Sequence, residues 1–178
     1  VKKSGISSAE LTEAEIEARR QAYSLFKLFK EKVPAFKNAF ILKLAAQIGI
    51  RETRRVMSSY AVGEDDVEQG LKHEDGIARS TYPIDIHSPT GEGTDIRKVP
   101  DGTWYEIPYR CLVPEGADNL LIGGRCISST HGGHSSLRVM PVVASIGEAA
   151  GIAAAWCVRD SIKPNEIDGA ALKKNLLG

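Results

Sequence analysis

Cysteine is scarce in this chain. Cys111, Cys126 and Cys157 are spread over 178 residues with no C-x-x-C pair and no metal-ligand spacing. That argues against a disulfide scaffold and leaves the redox compartment open. Net charge is lacking as well: 23 basic residues stand against 23 acidic ones, so electrostatics point to neither nucleic acid nor an anionic membrane as partner. No uninterrupted apolar run reaches the roughly 18 residues of a bilayer span. Residues Val1 to Gly5 lack the apolar core of a signal peptide. There is no internal repeat and no low-complexity tract. A G-x-G-x-x-G loop is also missing, since Gly91-Glu92-Gly93 has no third glycine at the right place. The chain opens with Val rather than Met, which fits either a fragment of a larger protein or a processed one. What is present, 42% hydrophobic and 26% charged residues, is the make-up of an ordinary folded, soluble chain, with the cytoplasm the favoured compartment.

The clearest local pattern is an amphipathic helix over residues 9–32. Ala22, Leu25, Phe26, Phe29 and Val33 recur at helical spacing and should pack on a core. Thr12 and Glu15 have the form of a capping box, and Pro34 closes the segment. Ala39 to Leu44 and Gln47 to Tyr60 read as extended segments, Glu64 to Gly70 as a short acidic helix stopped by glycine, and Tyr82 to His87 as a strand. Ser88 to Gly102 reads as a loop or hairpin tip. Trp104 to Val113 predicts a strand broken at Pro108, with a turn over Pro114 to Asp118. Asn119-Leu120-Leu121-Ile122 has the continuous apolar character of a strand buried on both faces. A Gly- and Ser-rich loop, Cys126 to Ser136, should lead to a long alanine-rich helix, about Val139 to Arg159, starting near Pro141. A short helix over Asp168 to Leu177 ends the chain.

The chemistry should sit where the apolar run ends at Gly123-Gly124-Arg125. In open α/β sheets ligands lie beyond the carboxyl ends of strands, and glycines there let a ligand approach the backbone. Amides opening the long helix, around Arg138, Val139 and Met140, would point at the same place and favour an electron-rich group. Gly147, Gly151 and Ala154 make one side of that helix smooth enough for close packing. By itself this pattern says anion or polar-ligand site, with a plain strand-to-helix connection as the alternative.

Four stretches in order carry a more specific resemblance. They are Gln47 to Arg55, Tyr82 to His87, Tyr105 to Pro114, and the run from Gly123-Gly124-Arg125-Cys126-Ile127-Ser128 through Ser136-Leu137-Arg138-Val139-Met140-Pro141 to Gly147-Glu148-Ala149-Ala150-Gly151. Over roughly residues 35–178 the chain resembles the C-terminal portion of the FAD-dependent oxidoreductase family, flavoproteins related to the two-dinucleotide-binding-fold group. The resemblance implies an α/β fold: the C-terminal part of a doubly wound FAD-binding domain over 114–178, a β-rich substrate-side region over 35–113, and a helical segment over 1–34. It implies FAD as cofactor, hydride transfer with a small organic substrate in the intact enzyme, and an isolated chain that is inactive. Cofactor contacts would come from Gly123, Gly124, Arg125, Ser136, Arg138, Val139, Met140 and Pro141. Gly124 and Arg125 would lie near the phosphate and ribityl region, and the amides of Arg138, Val139 and Met140 near the pyrimidine edge of the isoalloxazine. The alternative is a binding or assembly module that keeps the fold without the cofactor.

Catalytic candidates follow from side-chain chemistry. Arg51, with Arg54 and Arg55, could fork onto a carboxylate substrate or make structural ion pairs; on a strand Arg51 and Arg55 would share a face. His131 and His134 could orient substrate or move protons, or else be solvated loop residues. Two histidines alone are too few for a metal site, and no G-x-S-x-G elbow supports a hydrolase. His87 and Tyr82 could line a pocket, or else be an exposed histidine and a packed tyrosine. Cys126 could be redox-active but, with no partner cysteine nearby, reads as a small packed hydrophobe. A half-sheet with open edges should also self-associate.

Overall fold

The computed structural model describes residues 2–88 and 93–178. The chain divides into two compact units, Val1–Thr53 and Arg54–Gly178.

The first unit is built on α1, Ser8–Lys32. Ser7, not Thr12, caps it, accepting the Glu10 N–H at 3.4 Å. Two successive S/T-x-x-E patterns compete here. The earlier one, Ser7 to Glu10, wins because the Glu10 carboxylate also takes the Ser4 N–H at 2.8 Å. Thr12 instead donates to the Ser8 carbonyl inside the helix. Glu15 pairs with Arg19 one turn on and accepts the Ile48 N–H at 2.5 Å. The expected core stripe is not buried: Ala14 is the one buried α1 residue, while Leu25, Phe29 and Val33 stay exposed. Residues 39–53 form no strand. The alternation argument placing Arg51 and Arg55 on one face therefore fails, because strand pairing enforces that alternation and none occurs.

The second unit holds α2 (Glu64–Glu68), β1 (Gly76–Ser80), β2 (Ile84–His87), β3 (Thr94–Arg97), β4 (Tyr105–Pro108), α3 (His131–Leu137), α4 (Met140–Asp160) and α5 (Gly169–Leu177). β1 pairs antiparallel with β4 and β2 with β3. The apolar side chains Ile77, Tyr105, Ile107, Leu112, Ile127, Leu137, Ile146 and Leu172 are sealed into one core, which draws on residues either side of position 114. α4 and α5 both pack on β1. Their ends follow local chemistry. Pro141 occupies the first turn of α4, Ser161 closes it in the left-handed region at φ 55°, and Asp168 caps α5 through the Ala170 and Ala171 amides.

The chain is thus a mixed helix–strand fold, consistent with α/β, whose ladders among the described residues are antiparallel; the one parallel pairing is the isolated Val62–Ser129 bridge. Four details differ from the sequence reading. Asn119–Ile122 is not a buried strand: Leu120 is exposed, and the run has a single backbone tie, Ile122 N–H to the Leu112 carbonyl. An apolar run becomes a doubly buried strand only between neighbouring strands, and here no described strand flanks it. Ser88–Gly102 contains β3, a short exposed edge with one apolar residue, Ile96, too little pattern to register; Gly91 and Glu92 lie outside the described residues. Tyr109–Leu112, after the strand ending at Pro108, is a 3-10 turn. The loop expected over Cys126–Ser136 contains α3. Its Gly-Gly-His-Ser-Ser sequence is a poor helix former, but burial overrides propensity.

Candidate functional site

The bend after Ile122 has the backbone that glycine permits. Gly124 takes φ +138°, and no atom lies within 4 Å of where its Cβ would stand. A Cβ on Gly123 would sit 3.2 Å from Ala150 Cβ and 3.5 Å from Gly147 Cα, so the bend runs close along α4. Arg125 and Cys126 are exposed. α4 begins with Val139 as its extended N-cap and no side chain capping it, so the first-turn amides have no side-chain acceptor. The Arg138 amide is not one of these: it donates to the His134 carbonyl at 3.1 Å as the C-cap of α3. From Met140 (87% exposed) a stripe through Ala144, Gly147, Gly151, Ala154 and Val158 (82% exposed) faces outward at three- and four-residue spacing. A Cβ added at Gly147 or Gly151 would meet nothing within 4 Å, so the second unit leaves the outer side of that face open. An 18-residue stretch of α4 has a mean hydropathy of 1.5 and is 22% buried, so by length and composition alone the helix is apolar enough to cross a bilayer. That departs from the absence of an apolar run in the sequence, because Glu148 is the sole charge before Arg159 and averaging absorbs it.

The remaining candidates separate. Ser136 is fully buried, its hydroxyl 2.7 Å from the Tyr105 hydroxyl and donating to the Tyr82 carbonyl at 2.6 Å. His134 is buried on α3, whereas His131, at the first position of α3, is exposed. Arg138 donates to the Asp85 carbonyl at 2.8 Å. Arg51 is exposed and belongs to the first unit. His87 and Tyr82 both engage Asp85, His87 at 3.2 Å and the Tyr82 hydroxyl at 3.3 Å. Among the described residues no three His, Cys, Asp or Glu side chains gather as a metal site would require.

The sequence reading missed a polar network in the second unit. Asp66, 2% exposed, accepts from the Tyr60 hydroxyl (2.8 Å) and from the Gly63 N–H (2.7 Å), and lies 2.7 Å from His73 Nε2. Arg110 reaches His73 Nδ1 at 3.2 Å, pairs with Asp75, and lies over the Tyr60 ring at 4.5 Å. A guanidinium only donates, so Nδ1 accepts and Nε2 carries the proton given to Asp66. Burial first, then the bond to Asp66, pushes the Tyr60 phenol up. Burial likewise raises the Cys111 thiol to about 12, which keeps it protonated and inert. Nearby, Glu106 is held by Lys173 at 2.6 Å, by the His73 N–H at 3.1 Å and by Trp104. Burial alone would raise its carboxyl, but those donors outweigh it and hold it below its usual value. No spacing in the sequence signals these partners, which lie up to 67 residues apart.

Glycine bends and helix starts that no side chain caps are both backbone features on which nucleotide-type cofactors rest. The family model described as FAD dependent oxidoreductase matches residues 1–176, and the chain belongs to that family. The match begins at residue 1, so α1 is part of the family's sequence and not an addition to it. Comparison with curated proteins and with solved structures gave no match.

Proposed function

We propose that residues 123–125 and the first turn of α4 form the flavin-side wall of an FAD-dependent oxidoreductase. Two observations support this: an α4 first turn that no side chain caps, and a positive-φ, open glycine at 124 in a bend that runs along α4. These residues fit the isoalloxazine and ribityl half of FAD. The ADP half finds no G-x-G-x-x-G loop among the 178 residues. Bound FAD supplies hydride-transfer chemistry with a small organic substrate. The chain's own share is electrostatic: the Val139 and Met140 amides and the α4 dipole favour negative charge placed before them. Gly124 and Gly147 leave room for a flat ring system, and the apolar stripe of α4 excludes water from whatever it covers. Of the two histidines on α3, His131 is the exposed one and so the one open to substrate.

The assignment predicts an effect of deleting one backbone donor. Met140 is the first helical residue, and Val139 before it is extended at ψ 145°, which a following proline favours. Met140→Pro therefore removes an amide that the helix does not use and should leave the melting temperature within about 2 °C of wild type. It should also weaken FAD about tenfold in a fluorescence titration, the worth of one hydrogen bond. Unchanged affinity would contradict the assignment. The exposed α4 stripe also supports the second reading, a cofactor-free assembly module joined through that face, for which FAD would not bind at all.

A further inference from the structure

A cavity of about 400 Å³ lies among Asp75, Arg110, Val113, Pro114, Glu115 and Ile167, a volume in the range of small-molecule sites. Along the chain, Asn119–Ile122 separates its Pro114–Asp118 turn from the Gly123–Arg125 bend, and none of the proposed flavin-wall residues lines it. Its charges are largely settled within the protein. Asp75 holds the Arg110 guanidinium, which is further committed to His73 and to the Tyr60 ring. Asp118, also on the lining, takes Lys163 at 3.0 Å. Glu115 is the exception: among the described residues its carboxylate forms no ion pair, while its amide is tied to the Met57 carbonyl at 2.8 Å and fixes the turn. The lining thus combines the exposed Glu115, a carboxylate without an ion pair among the described residues, with the apolar Val113, Pro114 and Ile167. That combination disfavours anions by repulsion and gains from a cation with a hydrocarbon body.

We propose that this cavity binds a small amphipathic amine, its ammonium group facing Glu115 and its apolar body lying on Val113, Pro114 and Ile167. The proposal stands apart from the flavin wall and does not depend on it. Cyclohexylamine and its carboxylate counterpart, cyclohexanecarboxylate, are the probes, read by backbone amide shifts of the full chain. The amine should shift the Glu115–Asp118 and Ile167 amides saturably, and the carboxylate should not. Glu115→Gln, at an exposed turn, should raise the amine Kd about fivefold, the scale of an exposed ion pair. Glu17→Gln on α1 should leave it unchanged. Carboxylate binding as tight as the amine's, amine binding indifferent to Glu115→Gln, or no saturable shift at these amides would each overturn the proposal.

Discussion

Gly133→Ala should cost the second unit about 3 kcal/mol or more, at the upper end of overpacking effects, and lower its melting temperature by roughly 10 °C. A Cβ at Gly133 would stand 2.7 Å from the Val62 carbonyl carbon and closer still to its oxygen, with Gly63 N at 3.2 Å. Backbone cannot rotate away as a side chain can. Nor can Val62 retreat: its N–H donates to the Ser128 carbonyl, its carbonyl accepts the Thr130 N–H at 2.8 Å, and it forms the bridge to Ser129. Thr130 in turn caps α3 through the Gly133 N–H at 3.1 Å, so a shift of α3 to relieve the clash would also break its cap. Gly132→Ala should be milder, because the Cβ meets the flexible Glu64 side chain, with Cγ at 2.5 Å. Gly147→Ala, which meets nothing, should be neutral or stabilise by about 0.5–1 kcal/mol as a helix-interior exchange. Thermal melts of the three variants in one buffer check this ordering. A Gly133→Ala protein melting like wild type would show that α3 does not sit against Val62 as described.

Lys173→Met should destabilise by about 2–3 kcal/mol at neutral pH. Glu106 is 2% exposed, and removing its ammonium partner leaves a buried carboxylate poorly compensated. The figure lies below the ~3–5 kcal/mol of a fully buried pair because the Lys173 side chain is 26% exposed. Lys173 also donates to the His73 carbonyl at 2.6 Å, so its loss touches the Asp66–His73–Arg110 network. The pH dependence follows from the sign of the Glu106 shift. Its folded carboxyl is held below its unfolded value, so its contribution is complete above about pH 4.3, the unfolded glutamate value, and fades as pH falls through the folded one. In Lys173→Met the depression weakens, with the His73 N–H, Trp104 and Arg79 left as partners, and protonating Glu106 relieves the variant. The gap between wild type and variant should therefore be widest near pH 7 and narrow below about pH 4. Melts at both pH values test this; a gap that does not change with pH would mean Glu106 and Lys173 are not coupled.

Much of the fold was readable in the sequence where the signal is local. The spans of α1, α4 and α5 follow from periodicity and from prolines and polar caps at their ends, and the stop of α2 follows from glycine, with Gly70 at φ +62°. The failures share a cause, which is that tertiary contact decided. α3 forms from a sequence that resists helix because Gly132 and Gly133 fit against Glu64 and Val62. Asn119–Ile122 is apolar enough for a buried strand but has no flanking strand here. The α1 stripe had the right period yet meets no core within its own unit. At the candidate site, glycines and a helix start were visible as motifs because they act through backbone, which the sequence encodes locally. The Asp66–His73–Arg110–Asp75 network was not, because four residues scattered over 45 positions come together only when β1 and β4 pair and α2 packs beside them.

The flavin-side wall stands or falls with which half of the cofactor the chain recognises. Competitive titration of the full chain with lumiflavin, the bare ring system, and with ADP addresses that directly. The wall described here predicts saturable lumiflavin binding that FAD displaces and no binding of ADP. Binding of ADP with none of lumiflavin would contradict it.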